Sequence, residues 1–170
     1  MAVEGTIGRH DLALALQEGA LARSQETGDA LAAARIRGSI GSIVRRAGRP
    51  AEALSHHRAA AEAAAQFGTD TDEAEQWTGL ASAHLDLGDA RSAAADAARA
   101  FDVYRRFAVD TSDAVGAPLR ETVDELFEVG ALAGARLDDP ATTARFLEIG
   151  RATALITALG GRDRLAEIAL

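Results

Sequence analysis

Residues 77–84 read Trp-Thr-Gly-Leu-Ala-Ser-Ala-His, and Gly88 follows them closely. Glycine and alanine recur around this stretch at a step of 40 residues. The recurring positions are Gly8, Gly48 and Gly88, then Ala13, Ala53 and Ala93, then Ala20, Ala60 and Ala100. Because two alanines keep the same distance from each glycine, we interpret the chain as an array of structural repeats.

The segments between these marks predict helices joined by short turns. The expected helices span 9–26, 29–46, 50–67, 71–87, 90–107, 118–136 and 140–159, with a short last helix near 163–170. Gly28, Gly48, Gly68 and Gly88 are expected to end helices, because glycine enters the left-handed conformation without a steric penalty. Turns this short make neighbouring helices antiparallel.

The composition favours closely packed helices in a water-soluble chain. Of the 170 residues, 48% are hydrophobic but only 4% are aromatic, which suits crossing helices better than a β-sandwich. No apolar run reaches the roughly 18 residues that a membrane span needs, and the first residues lack a secretory signal. Cysteine is absent, which excludes disulfides and thiolate metal sites within the chain. We therefore expect a cytoplasmic protein without a membrane partner.

Charge is distributed unevenly along the chain. The net charge is −8, and all of it falls in residues 71–170, while residues 1–70 are neutral overall. Affinity for nucleic acids comes mainly from cations that neutralise phosphates. The acidic balance therefore argues against a nucleic-acid partner.

The stretch 77–84, with the glycine and alanines that follow it, resembles the tetratricopeptide repeat. The consensus of that repeat is Trp-x2-Leu-Gly-x2-Tyr, then a turn glycine and two small residues on a second helix. The preceding block matches it at Ile40, Gly41 and Val44, but has Arg37 at the Trp position. The step of 40 is similar to the longer-helix kind found in bacterial signalling proteins.

This resemblance implies an all-α fold, a right-handed α-solenoid of antiparallel helix hairpins with about three and a half repeats. It also implies that small residues lie where helices cross, since larger side chains would push the backbones apart. These residues are Gly41, Ala53, Ala60, Ala81, Ala93 and Ala100.

The same resemblance divides a single domain, residues 1–170, into repeats. We expect a half repeat at 8–28, full repeats at 29–68 and 69–108, a loop at 109–117, a degenerate repeat at 118–160 and a C-terminal helix at 161–170. In the degenerate repeat, Phe127 takes the Trp position, and the segment 137–140 takes the turn. Gly8 would be the turn glycine of a block whose first helix is missing, so we expect a fragment of a longer protein.

The first predicted helix is apolar on two sides. Leu12 and Leu16 lie on one side, with Leu14 and Leu21 roughly opposite. One side can pack on helix 29–46. The other side would pack on the missing helix or on another copy, so a homo-oligomer through this helix is possible.

Residues that carry chemistry do not form a recognisable catalytic or metal pattern. The histidines His10, His56, His57 and His84 lack the spacing of a zinc helix, and His84 takes the Tyr position of its repeat, a packing role. The chain has no Walker loop, no dinucleotide fingerprint and no nucleophile elbow. We expect no enzyme, no catalytic residue, no metal and no cofactor. A catalytic or small-ligand protein is the remaining alternative to a binding scaffold.

The function that the resemblance implies is protein–protein interaction, with a peptide or partner domain bound in a concave groove, or self-assembly. Position by position, the groove residues are Arg35, Gly38, Ser42, Arg45, Arg46, Glu75, Thr78, Ser82, Leu85, Asp86, Glu125, Glu128, Leu132 and Arg136. Arginines lead this order and acids follow. We therefore expect a groove that is positive towards its N-terminal end and negative towards its C-terminal end.

A second resemblance concerns residues 144–156. Their Glu-x2-Arg-Ala-x2-Leu pattern, from Glu148 to Leu155, is similar to the last repeat helix before the caspase-like CHAT peptidase domain of bacterial proteins. The alternative function that it implies is a regulatory or sensor arm, acting in cis on such a peptidase or within a multidomain transcriptional regulator.

Overall fold

The computed structural model describes the backbone of residues 2–110 and 117–158. Within these ranges the chain forms seven α-helices and no strand. The helices are α1 (Ala2–Glu26), α2 (Ala30–Arg46), α3 (Pro50–Phe67), α4 (Asp70–Asp86), α5 (Ala90–Asp110), α6 (Ala117–Arg136) and α7 (Pro140–Ala158). The first seven helices expected from the sequence are confirmed, and apart from the start of α1 their ends shift by at most three residues.

The beginning of α1 differs from the prediction. Gly8 lies inside this helix, which starts at Ala2, so the turn expected at Gly8 is wrong. A helix interior tolerates a glycine at a cost of about 1 kcal/mol relative to alanine. The step of 40 therefore marks turns only at Gly48 and Gly88. The expected helix 163–170 and most of the expected loop 109–117 lie outside the described residues.

Left-handed residues end three of the helices as expected. Gly28, Gly48 and Gly88 have φ angles of 72°, 79° and 81°, a region that other residues enter with a steric penalty. Gly68 also follows the end of a helix, as expected, but the left-handed conformation predicted for it is wrong, because its φ is −96°. The turn after α3 instead depends on Thr69, whose side chain accepts from the backbone N–H of α4.

In the turn between α6 and α7, an aspartate takes the left-handed conformation that glycine takes in the other turns. Asp138 has a φ of 52°, where aspartate is among the residues that enter this region most easily. Its neighbour Asp139 caps α7 by accepting from the N–H groups of Ala141 and Thr142, both at 3.1 Å. The hairpin of α6 and α7 therefore makes its turn without a glycine.

The helices stack as consecutive antiparallel hairpins. Each of α1 to α6 packs against the next helix in sequence, and α2 also contacts α4, while α4 contacts α6. This pattern confirms the expected all-α solenoid. The helices α2, α4 and α6 form one layer of it, which we call the inner layer.

Small and aromatic residues fill the core in different places. The alanines expected at the crossings are fully buried, namely Ala53, Ala60, Ala81, Ala93 and Ala100. Towards the C-terminal end, the ring of Phe101 lies 6.4 Å from those of Phe127 and Phe146. A Cβ at Gly130 would lie 2.5 Å from the Phe146 ring, so the glycine makes room for it.

Candidate partner-binding groove

A cavity opens between the three helices of the inner layer. Its volume is about 340 Å³, and we call it the inner groove. Its lining comes from α2, α4 and α6, namely Arg45, Arg46, Ser82, Leu85, Asp86, Glu125, Glu128, Val129 and Leu132. All of these residues except Val129 were expected in the groove from the sequence. Val129 follows Glu128 directly, and the carried-over repeat positions did not include it.

Arg45 crosses the groove and joins all three helices. Its Nη1 lies 3.1 Å from Asp86 Oδ2 on α4, and its Nη2 lies 3.0 Å from Glu125 Oε1 on α6. Ser82 Oγ donates to the same Glu125 oxygen over 2.8 Å. Charged hydrogen bonds of this kind hold the carboxylates in fixed positions. The floor of the groove is therefore a network that fixes α2, α4 and α6 relative to one another.

A second ion pair lies farther towards the start of α2 and α4. Arg35 donates from Nε to Asp72 Oδ1 at 2.7 Å and from Nη2 to Asp72 Oδ2 at 3.1 Å. The Arg35 guanidinium, with help from the Thr69 hydroxyl, lowers the pKa of Asp72 to about 2. Asp72 also accepts from the backbone N–H of Thr69, which completes a capping box at the start of α4.

The expected gradient from positive to negative charge is not found among the unpaired side chains of the groove. Arg35 and Arg45 are paired with carboxylates of the chain, so Arg46 is the only cation of the described cavity lining without such a partner. Arg136, outside that lining, donates to a backbone carbonyl. Glu75 and Glu128 have no ion-pair partner among the described residues. The inner groove therefore presents net negative charge.

Other expected groove residues occupy different positions. Thr78 is buried, and its hydroxyl donates to the Ala74 carbonyl oxygen at 2.9 Å, so it is closed to a partner. Arg136 donates from Nη1 to the Leu85 carbonyl oxygen at 2.6 Å and thereby satisfies a carbonyl at the end of α4. Ser42 is half-buried on α2, one turn before Arg45, and lies outside the cavity lining.

Glu75 stands beside the groove, not in its lining. It lies on α4, two turns before Ser82, and is exposed. Partial desolvation by the inner layer raises the pKa of Glu75, and the negative charges of Asp72 and Glu125 raise it further. The positive charge of Arg35 opposes this shift. Glu75 is therefore a carboxylate that would gain from a new cationic neighbour.

A buried polar pair, which the sequence did not reveal, lies between α3 and α4. His57 and Gln76 are 2% and 3% exposed, and His57 Nδ1 lies 3.0 Å from Gln76 Oε1. The feature of the sequence that could have indicated this pair is the set of glycines in α2 and α4, which leave room for its side chains. A Cβ at Gly38 would meet the Gln76 side chain, and a Cβ at Gly41 or Gly79 would meet the His57 ring.

A second hollow of about 460 Å³ lies at the turn between α6 and α7. It is built by a single hairpin, and its walls include Ala135, Pro140, Ala144 and Leu147. Among the described residues, its charged lining consists of Asp138 and Asp139, and Asp139 already caps α7. We therefore take the inner groove, with its charged groups from three helices, as the candidate site.

Residues 2–66, which span α1, α2 and nearly all of α3, match the family model of the tetratricopeptide repeat. These residues form a tetratricopeptide-repeat segment of the chain. Repeats of this family generally mediate protein–protein interaction, and their all-helical fold is typically non-catalytic. The matched residues include Arg35 and Arg45, which link the tetratricopeptide segment to α4 and α6. No characterised protein matches the chain at a significant level.

Two further findings concern the described residues of the whole chain. None of its helices combines the length and the apolar character that crossing a membrane requires. Within the same residues, no three histidine, aspartate or glutamate side chains are grouped as metal ligands.

Proposed function

We propose that this protein is a scaffold that binds an extended segment of a partner protein in the inner groove. The observation that carries the proposal is the assembly of one cavity from three helices that are not consecutive in sequence. Its volume of about 340 Å³ falls within the range of roughly 300–1,000 Å³ that is usual for ligand sites. Tetratricopeptide repeats generally bind protein partners, which supports the same assignment.

We propose a binding role without catalysis. The hydroxyl of Ser82, the only serine in the described lining, donates to Glu125, and no histidine lines the cavity. The acids Asp86 and Glu125 are both held by Arg45. A nucleophile beside a free general base, which covalent catalysis needs, is therefore missing from this lining.

The proposal can be tested with a phage-displayed library of random peptides of about twelve residues, long enough in extended form to cross the three inner helices. We expect the wild-type chain to enrich a set of peptides. The variant Leu132→Trp narrows the groove, and Leu132 is 44% exposed, so the larger side chain does not disturb the core. We expect the enriched peptides to bind this variant at least about tenfold more weakly.

The matched control is Leu87→Trp. Leu87 is 46% exposed and lies at the turn between α4 and α5, outside the groove lining. We expect it to bind the enriched peptides as the wild type does. Peptides that bind both variants equally, or a library that yields no enrichment, would contradict binding in the inner groove.

The cytoplasmic location and the regulatory role beside a CHAT peptidase domain stay predictions. The segment on which the second resemblance rests begins in α7 and continues into residues whose side chains lie beyond the described ones.

A further inference from the structure

The cations of the inner layer are largely occupied by the chain itself. Arg45 is shared by Asp86 and Glu125, and Arg35 makes two hydrogen bonds to Asp72. A partner carboxylate entering the groove would compete with these carboxylates for Arg45. It would also meet the negative charge of Glu128, which costs free energy. Arg46 is the one cation of the described lining without a carboxylate partner, against two open carboxylates of the inner layer, so a basic partner is favoured over an acidic one.

Two carboxylates of the inner layer remain open. Glu128 lies in the groove lining on α6, one turn after Glu125, and is exposed. Glu75 is exposed on α4 and has no ion-pair partner among the described residues. Arg45 itself shows that carboxylates of this surface can hold a guanidinium, since it bridges two of them. Two open carboxylates stand against one open cation of the lining, Arg46, so the unmet charge of the surface is net negative.

An apolar wall adjoins one of the open carboxylates. Leu85, Val129 and Leu132 line the cavity together with Glu128, and Leu132 follows Glu128 by one helical turn on α6. Leu132 is 44% exposed, so a partner side chain would cover apolar surface there. Burial of such surface is favourable by roughly 25 cal/mol per Å².

The register between α4 and α6 fixes the distance between the two carboxylates. The Ser82–Glu125 hydrogen bond sets these residues at the same level. Glu75 precedes Ser82 by two turns, and Glu128 follows Glu125 by one, which separates them by about 15 Å along roughly parallel axes. The helix spacing of about 9 Å increases this to about 18 Å, or five to six residues of extended chain.

On the basis of the binding function proposed above, we propose that the inner groove selects a basic segment of a partner protein. The segment carries two arginine or lysine side chains about six residues apart, an even spacing that keeps both on one face of an extended chain, one facing Glu75 and one facing Glu128. An apolar side chain beside the second cation covers Leu132. Acidic segments and neutral segments are the alternatives that the experiment distinguishes.

The test uses the same random library and sorts the peptides that lose affinity for Leu132→Trp. We expect this groove-dependent set to be enriched in pairs of arginine or lysine about six residues apart. One such peptide, acetylated and amidated to remove its terminal charges, is then labelled with fluorescein for anisotropy titrations. We expect Glu75→Gln and Glu128→Gln each to weaken binding roughly three- to fivefold, and less so at high salt.

The control variant is Glu62→Gln, which removes one negative charge from the exposed side of α3. We expect it to bind the peptide as the wild type does, and circular dichroism verifies that all three variants fold. Groove-dependent peptides without basic residues, or basic peptides that ignore both glutamine variants, would overturn the inference and leave the proposed function standing. A library without any groove-dependent peptide would overturn both.

Discussion

His57 Nδ1 on α3 lies 3.0 Å from Gln76 Oε1 on α4, in a site where both side chains are almost completely buried. His57 Nε2 is also buried and has no hydrogen-bond partner among the described residues. The pair leaves one polar atom unmet, which costs on the order of 1–3 kcal/mol. Two glycines of neighbouring helices, Gly41 and Gly79, leave room for the ring.

The stability of the fold is expected to depend on pH through His57. Burial, and to a lesser extent the positive charge of Arg45, lowers the pKa of His57 below its usual 6.5, although the Gln76 hydrogen bond opposes this shift. The unfolded chain therefore binds a proton as pH falls below about 6.5, while the folded chain does not. We expect the melting temperature to fall between about pH 7.5 and 5.5, measured by circular dichroism.

The variant His57→Gln isolates this effect, because glutamine does not titrate. Its melting temperature is expected to vary less over the same pH range than that of the wild type. His56→Gln is the matched control at the adjacent, half-buried position and is expected to keep the wild-type slope. Equal slopes in all three proteins would show that His57 protonates freely in the folded state.

The glycines around His57 predict a large difference between two chemically identical substitutions. A Cβ at Gly79 would lie 2.4 Å from Cε1 of the His57 ring, so Gly79→Ala forces the helices apart. We expect a loss of roughly 1–3 kcal/mol in urea titrations. Gly19→Ala in α1 meets nothing within 4 Å and is expected to stabilise by up to about 1 kcal/mol. Similar effects of both changes would contradict the close approach of α3 and α4.

Acid is expected to remove the contribution of Asp72. Its folded-state pKa of about 2 lies below its usual 3.8, because it accepts hydrogen bonds from Arg35 and Thr69. For a lowered carboxyl pKa, the stabilisation is present above the usual value and is lost as pH falls from about 4 to 2. Asp72→Asn is expected to cost about 1 kcal/mol at neutral pH and little near pH 2.

The control for Asp72 is Asp70→Asn, at a half-buried position in the first turn of the same helix. It retains the capping box and the Arg35 contact, so we expect a smaller effect at neutral pH. The comparison uses urea titrations at both pH values. An Asp72→Asn penalty that persists near pH 2 would mean that packing, and not charge, is its cause.

Substitutions at two alanines of α5 test how tightly the helices pack where they cross. Ala93 is fully buried against the core that contains Ala81 and Phe127, while Ala95 is exposed. Ala93→Leu overpacks the crossing, and we expect it to cost roughly 1–3 kcal/mol in thermal melts. Ala95→Leu adds the same atoms on the solvent side and is expected to change stability by less than about 0.5 kcal/mol. If the Ala93→Leu variant proved as stable as the Ala95→Leu control, the repeat register would be contradicted.

Self-association through α1 stays a prediction with a direct test. Leu14 and Leu21 pack against the core cluster that contains Ile40 of α2, as expected, whereas Leu12 and Leu16 are 63% and 67% exposed. If another copy covers the exposed side, we expect the mass in light scattering to rise with protein concentration. Leu12→Glu with Leu16→Glu is then expected to be monomeric at every concentration. A constant monomeric mass for the wild type would contradict the prediction.

The sequence by itself determined the described helices, most of their turns, and most of the residues with which α2, α4 and α6 line the inner groove. These features follow from local patterns, since helical periodicity and left-handed glycines such as Gly48 and Gly88 depend on neighbouring residues. Alanines such as Ala53 and Ala93 could be assigned to helix crossings because equivalent positions of successive repeats have similar surroundings. The same reasoning failed at Gly8 and Gly68, where a glycine does not end a helix in the left-handed region.

Only the tertiary structure decided which groove charges are free. Arg45 and Glu125 are 80 residues apart in sequence, yet they share a hydrogen bond of 3.0 Å. Their contact depends on how far each hairpin is displaced from the one before it, a quantity that no local pattern records. The same displacement encloses His57 with Gln76 and leaves Glu75 and Glu128 open, because pairing across the inner layer is settled by the separation of helices and not by residue type.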